Sequence, residues 1–344
     1  MTKKQSYGLI VAAVIFVVVG VISVLTNTLS SSITKKQDSN KSEFGTFMDQ
    51  LSGGSDIALA DMPTNKDFVA IVPIEGTIQE SSGTQGLAQT GGGYNHDLLM
   101  KYVDKLIDNK NNKAIVLRLD TPGGAVYQAD ELYLKLMEYK EKTGRPIYAY
   151  MESMCCSGGV YLASSADEQY ANRNTTTGSI GVIISGYDMS ELYKKLGIKE
   201  QNIVSAKNKD MGSSGKPMTA EQKAIYQALV DEAYEQFVGI VAEARNMSVE
   251  DVKKLADGRI YTASQAVDNG LIDGIKTSDE FDAYIKEVTG VSEFYRPSDE
   301  ASYLSKLFGS AKDLKPKSEA EILVDLVDRF GSGVPMYYAR PFGE

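Results

Sequence analysis

Residues 114–124 read AIVLRLDTPGG, and residues 146–159 read PIYAYMESMCCSGG. Each stretch opens with an apolar run that predicts a buried strand, and each ends in paired glycines before a helical pattern. Strand and helix alternate here, which predicts right-handed crossovers and a mainly parallel sheet of the α/β class. The predicted strands are 68–72, 114–119, 146–151, 179–185 and 203–206, and the predicted helices between the first three are 97–107 and 129–139.

The second half of the chain contains two capping boxes, in which a threonine is followed three residues later by a glutamine. Thr219 with Gln222 predicts the start of a long helix, and Thr262 with Gln265 the start of a short one. The long helix carries apolar residues at helical spacing, which we expect to face the core. They are Ile225, Leu229, Ala233, Phe237 and Ile240.

Composition narrows the classes of function. The chain of 344 residues has a formal charge of −10, so it has no basic field to attract a nucleic acid. Its one histidine, His96, and its two cysteines, Cys155 and Cys156, are too few for a zinc cage, and we expect no metal or other cofactor. The adjacent cysteines are unsuited to a mutual disulfide and are typical of small buried hydrophobic side chains.

Residues 8–25 form an uncharged apolar run of about 18 residues, which as a helix would nearly cross a bilayer core of about 30 Å. We expect a transmembrane anchor within residues 1–30, a polar linker over 31–64, a folded domain over 65–290 and a C-terminal extension over 291–344. A cleaved signal peptide and a buried core helix are the alternatives for the apolar run.

The charges beside this run indicate its orientation. Lys3, Lys4 and the terminal amine precede it, while Lys35 and Lys36 follow it, so the positive-inside rule favours a cytoplasmic N-terminus by a small margin. We therefore expect a single-pass protein of the cell membrane whose folded domain lies outside the cytoplasm.

Three polar or glycine-rich segments follow predicted strands, where open α/β sheets place their sites. The first is the bend Pro122-Gly123-Gly124, whose backbone N–H groups could bind an oxyanion, although such a bend is usually only a turn. The second is the turn at Ser157, where the serine is either a nucleophile or the N-cap of the next helix. The third carries Lys207 and Lys209, and exposed lysines after a strand are commonplace.

Together the three segments resemble the S49 serine peptidases, the signal peptide peptidase A family, which has a ClpP/crotonase fold. Members carry a Pro-Gly-Gly bend, a Ser-Gly-Gly turn and a lysine-bearing segment about fifty residues later, and this chain has all three in order. It also has the family-like stretch 257–262 and the later segment 270–273, so the resemblance covers roughly residues 67–290. It implies repeated β-β-α units in a superhelix with a mainly parallel sheet, preceded by one transmembrane helix.

The resemblance also implies the roles of individual residues. Ser157 becomes the nucleophile and Lys209 the general base. The amides of Gly124 and Gly158 form the oxyanion hole, and Ser179 orients the lysine. Relatives often have small residues before the serine, where this chain has two cysteines, so the shape of the adjacent pocket is in question.

A lysine base also follows from the shortage of histidine, because a Ser-His-Asp triad would have to use His96. An ordinary lysine has a pKa near 10.4, so the dyad lysine must be desolvated to act near neutral pH. Lys209 matches the family spacing, and Lys207 is the second choice for the base.

The resemblance implies a short, single-copy type of member that forms a homo-oligomeric ring, with Ser157 and Lys209 contributed by adjacent protomers. Its implied substrates are remnant signal peptides and other apolar peptides with small and aliphatic side chains. The alternatives are a catalytically silent, membrane-tethered scaffold that binds apolar peptides and an acyl-CoA enzyme of the crotonase type. The apolar end of the chain, at Met336, Tyr337 and Tyr338, suggests self-occlusion of the peptide groove.

Overall fold

The computed structural model describes residues 59, 62–80, 93–297 and 336–338. Its strands are β1 (Phe68–Glu75), β2 (Asn112–Thr121), β3 (Gly123–Ala125), β4 (Ile147–Cys156), β5 (Glu168–Ala171), β6 (Thr176–Gly178), β7 (Ile260–Thr262), β8 (Gly274–Ile275), β9 (Phe294–Tyr295) and β10 (Met336–Tyr338). Its helices are α1 (His96–Asp108), α2 (Val126–Thr143), α3 (Gly158–Ala163), α4 (Ser190–Lys195), α5 (Ala220–Arg245), α6 (Val249–Leu255), α7 (Ala263–Asp268) and α8 (Ser278–Thr289).

The described strands form one large, mostly parallel sheet and one small ribbon. The large sheet has the order β7-β6-β4-β2-β1-β9, and in addition β5 pairs with β4 and β8 pairs with β5. Its pairs are parallel except for β6 with β7, whereas β3 and β10 form a separate antiparallel pair. This mixed α/β architecture confirms the predicted class and fits a ClpP/crotonase-like fold.

The core lies on both faces of β1, β2 and β4, as expected for parallel strands covered by helices. Ile115 and Leu117 of β2 pack in the cluster formed with α1, α2 and α3. Val116, which points to the opposite face, packs instead with Phe281 and Ile285 of α8. Side chains alternate along a strand, so one continuous apolar run supplies both layers.

Local sequence signals predicted much of this framework. The predicted strands 68–72, 114–119 and 146–151 lie within or overlap β1, β2 and β4, and the two predicted helices lie within α1 and α2. Both capping boxes are present, at Thr219 for α5 and at Thr262 for α7. Reciprocal hydrogen bonds between cap and third residue explain why these signals were sufficient.

Two predicted strands of the second half were wrong, and the predicted core face of α5 was right only in part. Residues 179–185 follow β6 without forming a strand, and 203–206 lie in a segment of turns and loops. In the expected inward stripe of α5, Phe237 is buried in the core and Ile240 packs against it, whereas Leu229 is 43% exposed. Apolar residues gain nothing by forming a strand or a core face when no other layer covers them, and no described element covers Ile203 or Leu229.

Two of the predicted segments lie wholly or mostly outside the described residues. They are the anchor within 1–30 and the linker over 31–64. Within the described ranges, no helix combines the length and apolar character needed to cross a bilayer. Strand β9 lies beyond residue 290 and pairs with β1, and β10 belongs to the C-terminal extension.

Candidate active site

Ser157 lies in a sharp turn between the end of β4 and the start of α3. Its backbone has φ +53° and ψ −112°, a left-handed conformation that costs a non-glycine residue about 1–3 kcal/mol. The N–H of Ser157 donates to the carbonyl oxygen of Gly178, the last residue of β6, at 2.8 Å. Pairing of β4 with β6 therefore holds the turn in its strained form.

The side chain of Ser157 is buried and unpaired. The residue is 1% exposed, and its Oγ has no hydrogen-bond partner among the described residues. Ser157 occupies the N-cap position of α3, as the alternative interpretation predicted, but its hydroxyl makes no capping hydrogen bond. A buried hydroxyl without a partner carries a free-energy cost that a merely structural serine would normally avoid.

The Pro-Gly-Gly bend and the serine turn meet at their glycines. A β-carbon added at Gly158 would lie 3.3 Å from the backbone nitrogen of Gly124, and one added at Gly123 would lie 2.7 Å from the backbone nitrogen of Gly158. Gly123 itself has φ +98°. Only glycine fits at this contact. Because these glycines have no side chains, the two segments approach closely enough to bring the N–H groups of Gly124 and Gly158 beside Ser157.

Ser179 lies one residue beyond the carbonyl that binds the Ser157 N–H. It also has a left-handed backbone, with φ +52°, and its N–H donates to the carbonyl of Arg259 at 2.7 Å. β6 pairs with β4 so that Gly178 lies opposite Cys156, and Ser179 and Ser157 each follow one residue of this pair.

The two candidate lysines lie in the turns before α5. Lys207 is exposed and forms an ion pair with Glu221 at 2.8 Å. Lys209 is also exposed, and its backbone N–H donates to the carbonyl of Ala206. Neither lysine contacts the Ser157 hydroxyl, so the described chain brings together Ser157, Gly124, Gly158 and Ser179 but not the base.

The remaining nucleophilic or basic side chains have other partners. Both ring nitrogens of His96 are engaged, Nδ1 with the Tyr94 hydroxyl at 2.6 Å and Nε2 with Glu131 at 2.7 Å. Cys155 and Cys156 are free thiols that are fully buried, and burial raises the pKa of Cys156 to about 12. The cysteines are therefore buried small side chains, as predicted, and not thiolate nucleophiles.

A segment from the end of the chain lies along the glycine bend. β10 pairs antiparallel with β3, and Tyr337 is opposite Gly124. The carbonyl oxygen of Tyr337 would lie 2.2 Å from a β-carbon at Gly123, on the side where the Gly158 nitrogen also lies. This is the geometry by which an extended peptide adds a strand to a sheet edge.

The Tyr337 side chain fills an aromatic pocket. Its ring stacks on Tyr161 at 4.9 Å and lies 4.7 Å from the Phe237 ring, and its hydroxyl donates to the carbonyl of Ala233 at 3.0 Å. The Tyr161 hydroxyl donates to Asp130 at 2.5 Å. The pocket thus has aromatic walls and a polar end.

Sequence reasoning missed several residues of this region. Ile78 pairs with the bend through its backbone, Thr121 binds it through its hydroxyl, and Tyr161 and Phe237 form the pocket. Only Thr121 had a local signal, since a hydroxyl residue just before a glycine turn often bonds to the turn backbone. The others are joined by tertiary contacts that sequence spacing does not encode.

The chain is similar to a peptidase family profile and to several known proteins that are named as peptidases or proteases. The profile of peptidase family S49 matches residues 139–292. A protein of Enterococcus faecium named for signal peptide peptidase SppA is 35% identical over 255 residues, which cover 71% of this chain and 74% of that protein. Protease 4 of Haemophilus influenzae is 32% identical over 212 residues, covering 62% of this chain and 33% of that protein. The chloroplastic serine protease SPPA of Arabidopsis thaliana is 29% identical over 211 residues, covering 61% of this chain and 31% of that protein.

Proposed function

The chain belongs to peptidase family S49 and is a serine peptidase, and from this premise we propose that Ser157 and Lys209 form its catalytic dyad. The observation that carries the proposal is the Ser157 hydroxyl, which is buried, held in a strained turn and beside two glycine amides, and which has no hydrogen-bond partner within the described ranges. Strain and unsatisfied hydrogen bonding are typical of catalytic positions.

In the proposed reaction, neutral Lys209 removes the Ser157 proton while Oγ attacks the carbonyl carbon of the scissile peptide bond. The negative charge that develops on the carbonyl oxygen is stabilised by the N–H groups of Gly124 and Gly158. Collapse of this intermediate breaks the C–N bond, and the lysine gives its proton to the leaving amine. Water, deprotonated by the lysine, then hydrolyses the acyl-enzyme and regenerates the serine.

The base is proposed to come from a neighbouring copy of the chain. Lys209 is exposed, and Ser157 Oγ has no partner among the residues that the structure describes, which leaves each half of the dyad incomplete within that part of the chain. Contact with a second copy would desolvate the lysine and favour its neutral form, as a general base requires. Ser179, beside the serine turn, would then orient the lysine.

The segment around Lys209 supports contact with a second copy. Residues 183–229, here called the arm, contain α4, the lysine turns and the first part of α5. Their exposed large apolar side chains are Ile183, Tyr187, Leu192, Leu196, Ile198, Ile203, Val204, Met218 and Leu229. A concentration of apolar surface of this kind is typical of a protein interface. We therefore favour a homo-oligomeric ring in which each arm carries Lys209 to the next protomer.

The proposed substrates are remnant signal peptides and other apolar peptides at the membrane. The relative from Enterococcus faecium is named for this activity, and the apolar run at 8–25 would anchor the ring as a single-pass protein with its catalytic domain outside the cytoplasm. The resemblance implies substrates with small and aliphatic side chains. The aromatic pocket beside Gly124 would in addition accept an aromatic side chain of the substrate.

The C-terminal segment is proposed to occlude this site in its own chain. β10 pairs with β3 at Gly124. Tyr337 fills the aromatic pocket and is fully buried there. A substrate strand would have to displace it. The extension would thus lower activity until a competing peptide binds.

Hydrolysis of an apolar fluorogenic peptide by the full-length chain, purified in mild detergent, tests the dyad. The variants are Ser157→Ala and Lys209→Ala, and Lys207→Ala is the matched control because it removes a lysine two residues away. We expect both dyad variants to be inactive, the control to be active, and a mixture of the two dyad variants to regain part of the activity.

Each other result has a definite meaning. Activity that survives Ser157→Ala would reject the nucleophile, and inactivity of Lys207→Ala with active Lys209→Ala would make Lys207 the base. Inactive single variants whose mixture stays inactive would reject the shared dyad. A wild-type chain that binds the peptide without cleaving it, even without its C-terminal extension, would favour the silent scaffold.

A further inference from the structure

The glycine bend that supplies the Gly124 amide has little stiffness of its own. Gly123 and Gly124 have no side chains to restrict their backbone angles, and Gly123 has φ +98°. An oxyanion hole acts only if its N–H groups already point to the position where charge develops. Contacts outside the two glycines must therefore fix the two peptide planes of the bend.

One plane is fixed by Ile78. Its N–H donates to the carbonyl of Gly123 at 2.8 Å, and its carbonyl accepts from the N–H of Ala125 at 2.8 Å. A trans peptide directs its C=O and its N–H to opposite sides. Holding the Gly123 carbonyl on Ile78 therefore turns the Gly124 N–H away from Ile78.

The preceding plane is fixed by the Thr121 side chain. Its hydroxyl accepts from the N–H of Gly123 at 3.0 Å and donates to the carbonyl of Gly76 at 2.6 Å. Thr121 is fully buried, so water does not compete for these bonds. Gly76 follows β1, and one hydroxyl thus ties the bend after β2 to the end of the neighbouring strand.

With both planes held, the rotation between them at Gly123 is determined, and with it the direction of the Gly124 N–H. We propose that Thr121 is a positioning residue, whose hydroxyl sets the geometry of the oxyanion hole without touching the substrate. The inference rests on the proposed function, in which the Gly124 amide binds the oxyanion.

The test compares Thr121→Val and Thr121→Ser in the full-length chain. Valine keeps the shape and removes both hydrogen bonds, whereas serine keeps the hydroxyl. Thr143→Val is the matched control. The Thr143 hydroxyl also donates to a carbonyl, that of Tyr139, and accepts from the N–H of Arg145, which lies two residues later. Thr143 is not part of the candidate site. Thr121→Ala serves as a second replacement if the valine variant does not fold.

For Thr121→Val we expect kcat to fall about 10- to 100-fold with KM nearly unchanged, because a small displacement of a catalytic group costs rates of this order. Inhibition by a peptide aldehyde, to which serine adds to form an oxyanion, should weaken by the same factor. Binding of the corresponding peptide amide should not change. Thr121→Ser should retain most of the activity, and Thr143→Val all of it.

If Thr121→Val and Thr121→Ala both keep the wild-type kcat while Ser157→Ala is inactive, the positioning role of Thr121 is overturned and the proposed function is not. A rise in KM with unchanged kcat, or equal losses in Thr121→Val and Thr143→Val, would also overturn it in favour of a general structural role. Activity that survives Ser157→Ala would instead overturn the proposed function and the positioning role together.

Discussion

The N–H of Ser157 donates to the carbonyl oxygen of Gly178 at 2.8 Å, which ties the turn of the proposed nucleophile after β4 to the last residue of β6. Ser157 keeps a left-handed backbone only because its surroundings hold it there. The edge of the sheet formed by β6 and β7 therefore supports the candidate active site.

Gly178→Ala should disrupt this tie. Gly178 has φ +86°, and an added β-carbon would lie 2.6 Å from the Tyr261 ring and 2.9 Å from the Arg259 carbonyl. We expect kcat to fall about 10- to 100-fold as the serine turn shifts. The measurement is peptide hydrolysis together with thermal unfolding.

Gly144→Ala is the control for backbone strain. Gly144 also has a positive φ, +65°, but an added β-carbon meets nothing within 4 Å. It should cost about 1–2 kcal/mol of stability and leave kcat unchanged. Equal activity in the two alanine variants would contradict the proposed importance of the tie.

The sequence predicted those parts of the fold whose signals are local. β1, β2 and β4 are continuous apolar runs, and the caps at Thr219 and Thr262 bond to residues three positions away. The run around Ile203 failed as a strand because none of the described strands lies beside it, and Ile203 is fully exposed. Its apolar character fits a surface between copies better than a core.

The candidate site was predictable to a similar extent. Ser157 and Gly124 come together because parallel strands β2 and β4 are neighbours that end at the same edge, as the predicted parallel sheet allowed. Pairing of β10 with β3 joins residues more than two hundred positions apart, and no periodicity specifies that register. The bond from the Gly123 N–H to the Thr121 hydroxyl has a local sequence signal, but the bond from that hydroxyl to Gly76, which follows a different strand, has none.

Leu229→Glu should separate folding from assembly. Leu229 lies on the exposed part of the arm, so a charge there should leave the chain folded but weaken contact with a second copy. We expect sizing by light scattering to show smaller species and the peptidase rate to fall with them. Leu134→Glu is the control, because Leu134 is an exposed leucine of α2 outside the arm. Identical assembly and rates in both variants would argue against the arm as the interface.

The two cysteines should resist alkylation in the folded protein. Cys155 and Cys156 are buried, and burial raises the pKa of both thiols, to about 12 for Cys156. At pH 8 they remain protonated and inaccessible, so iodoacetamide should label them only after unfolding in urea. Mass spectrometry of folded and unfolded samples provides the comparison. Rapid labelling of the folded chain would contradict the burial of the two thiols.

Loss of the Tyr337 ring should release the proposed self-occlusion. Tyr337→Ala removes the stacking on Tyr161 and the contact with Phe237, a packing loss of about 3–5 kcal/mol for a large buried aromatic side chain. Tyr337→Phe keeps the ring and removes only the hydrogen bond to Ala233, worth about 1 kcal/mol. Activity at low peptide concentration should therefore rise strongly for the alanine variant and weakly for the phenylalanine variant.

Removal of residues 334–344 should raise activity at least as much as Tyr337→Ala, because it takes away the whole of β10 as well as the ring. The gain should appear mainly as a lower KM, since the extension competes with substrate for the edge of β3 and does not act on the bond-breaking step. Higher kcat with unchanged KM would point to an effect on the catalytic geometry. No gain in activity or in peptide affinity from either variant would show that β10 does not block the groove.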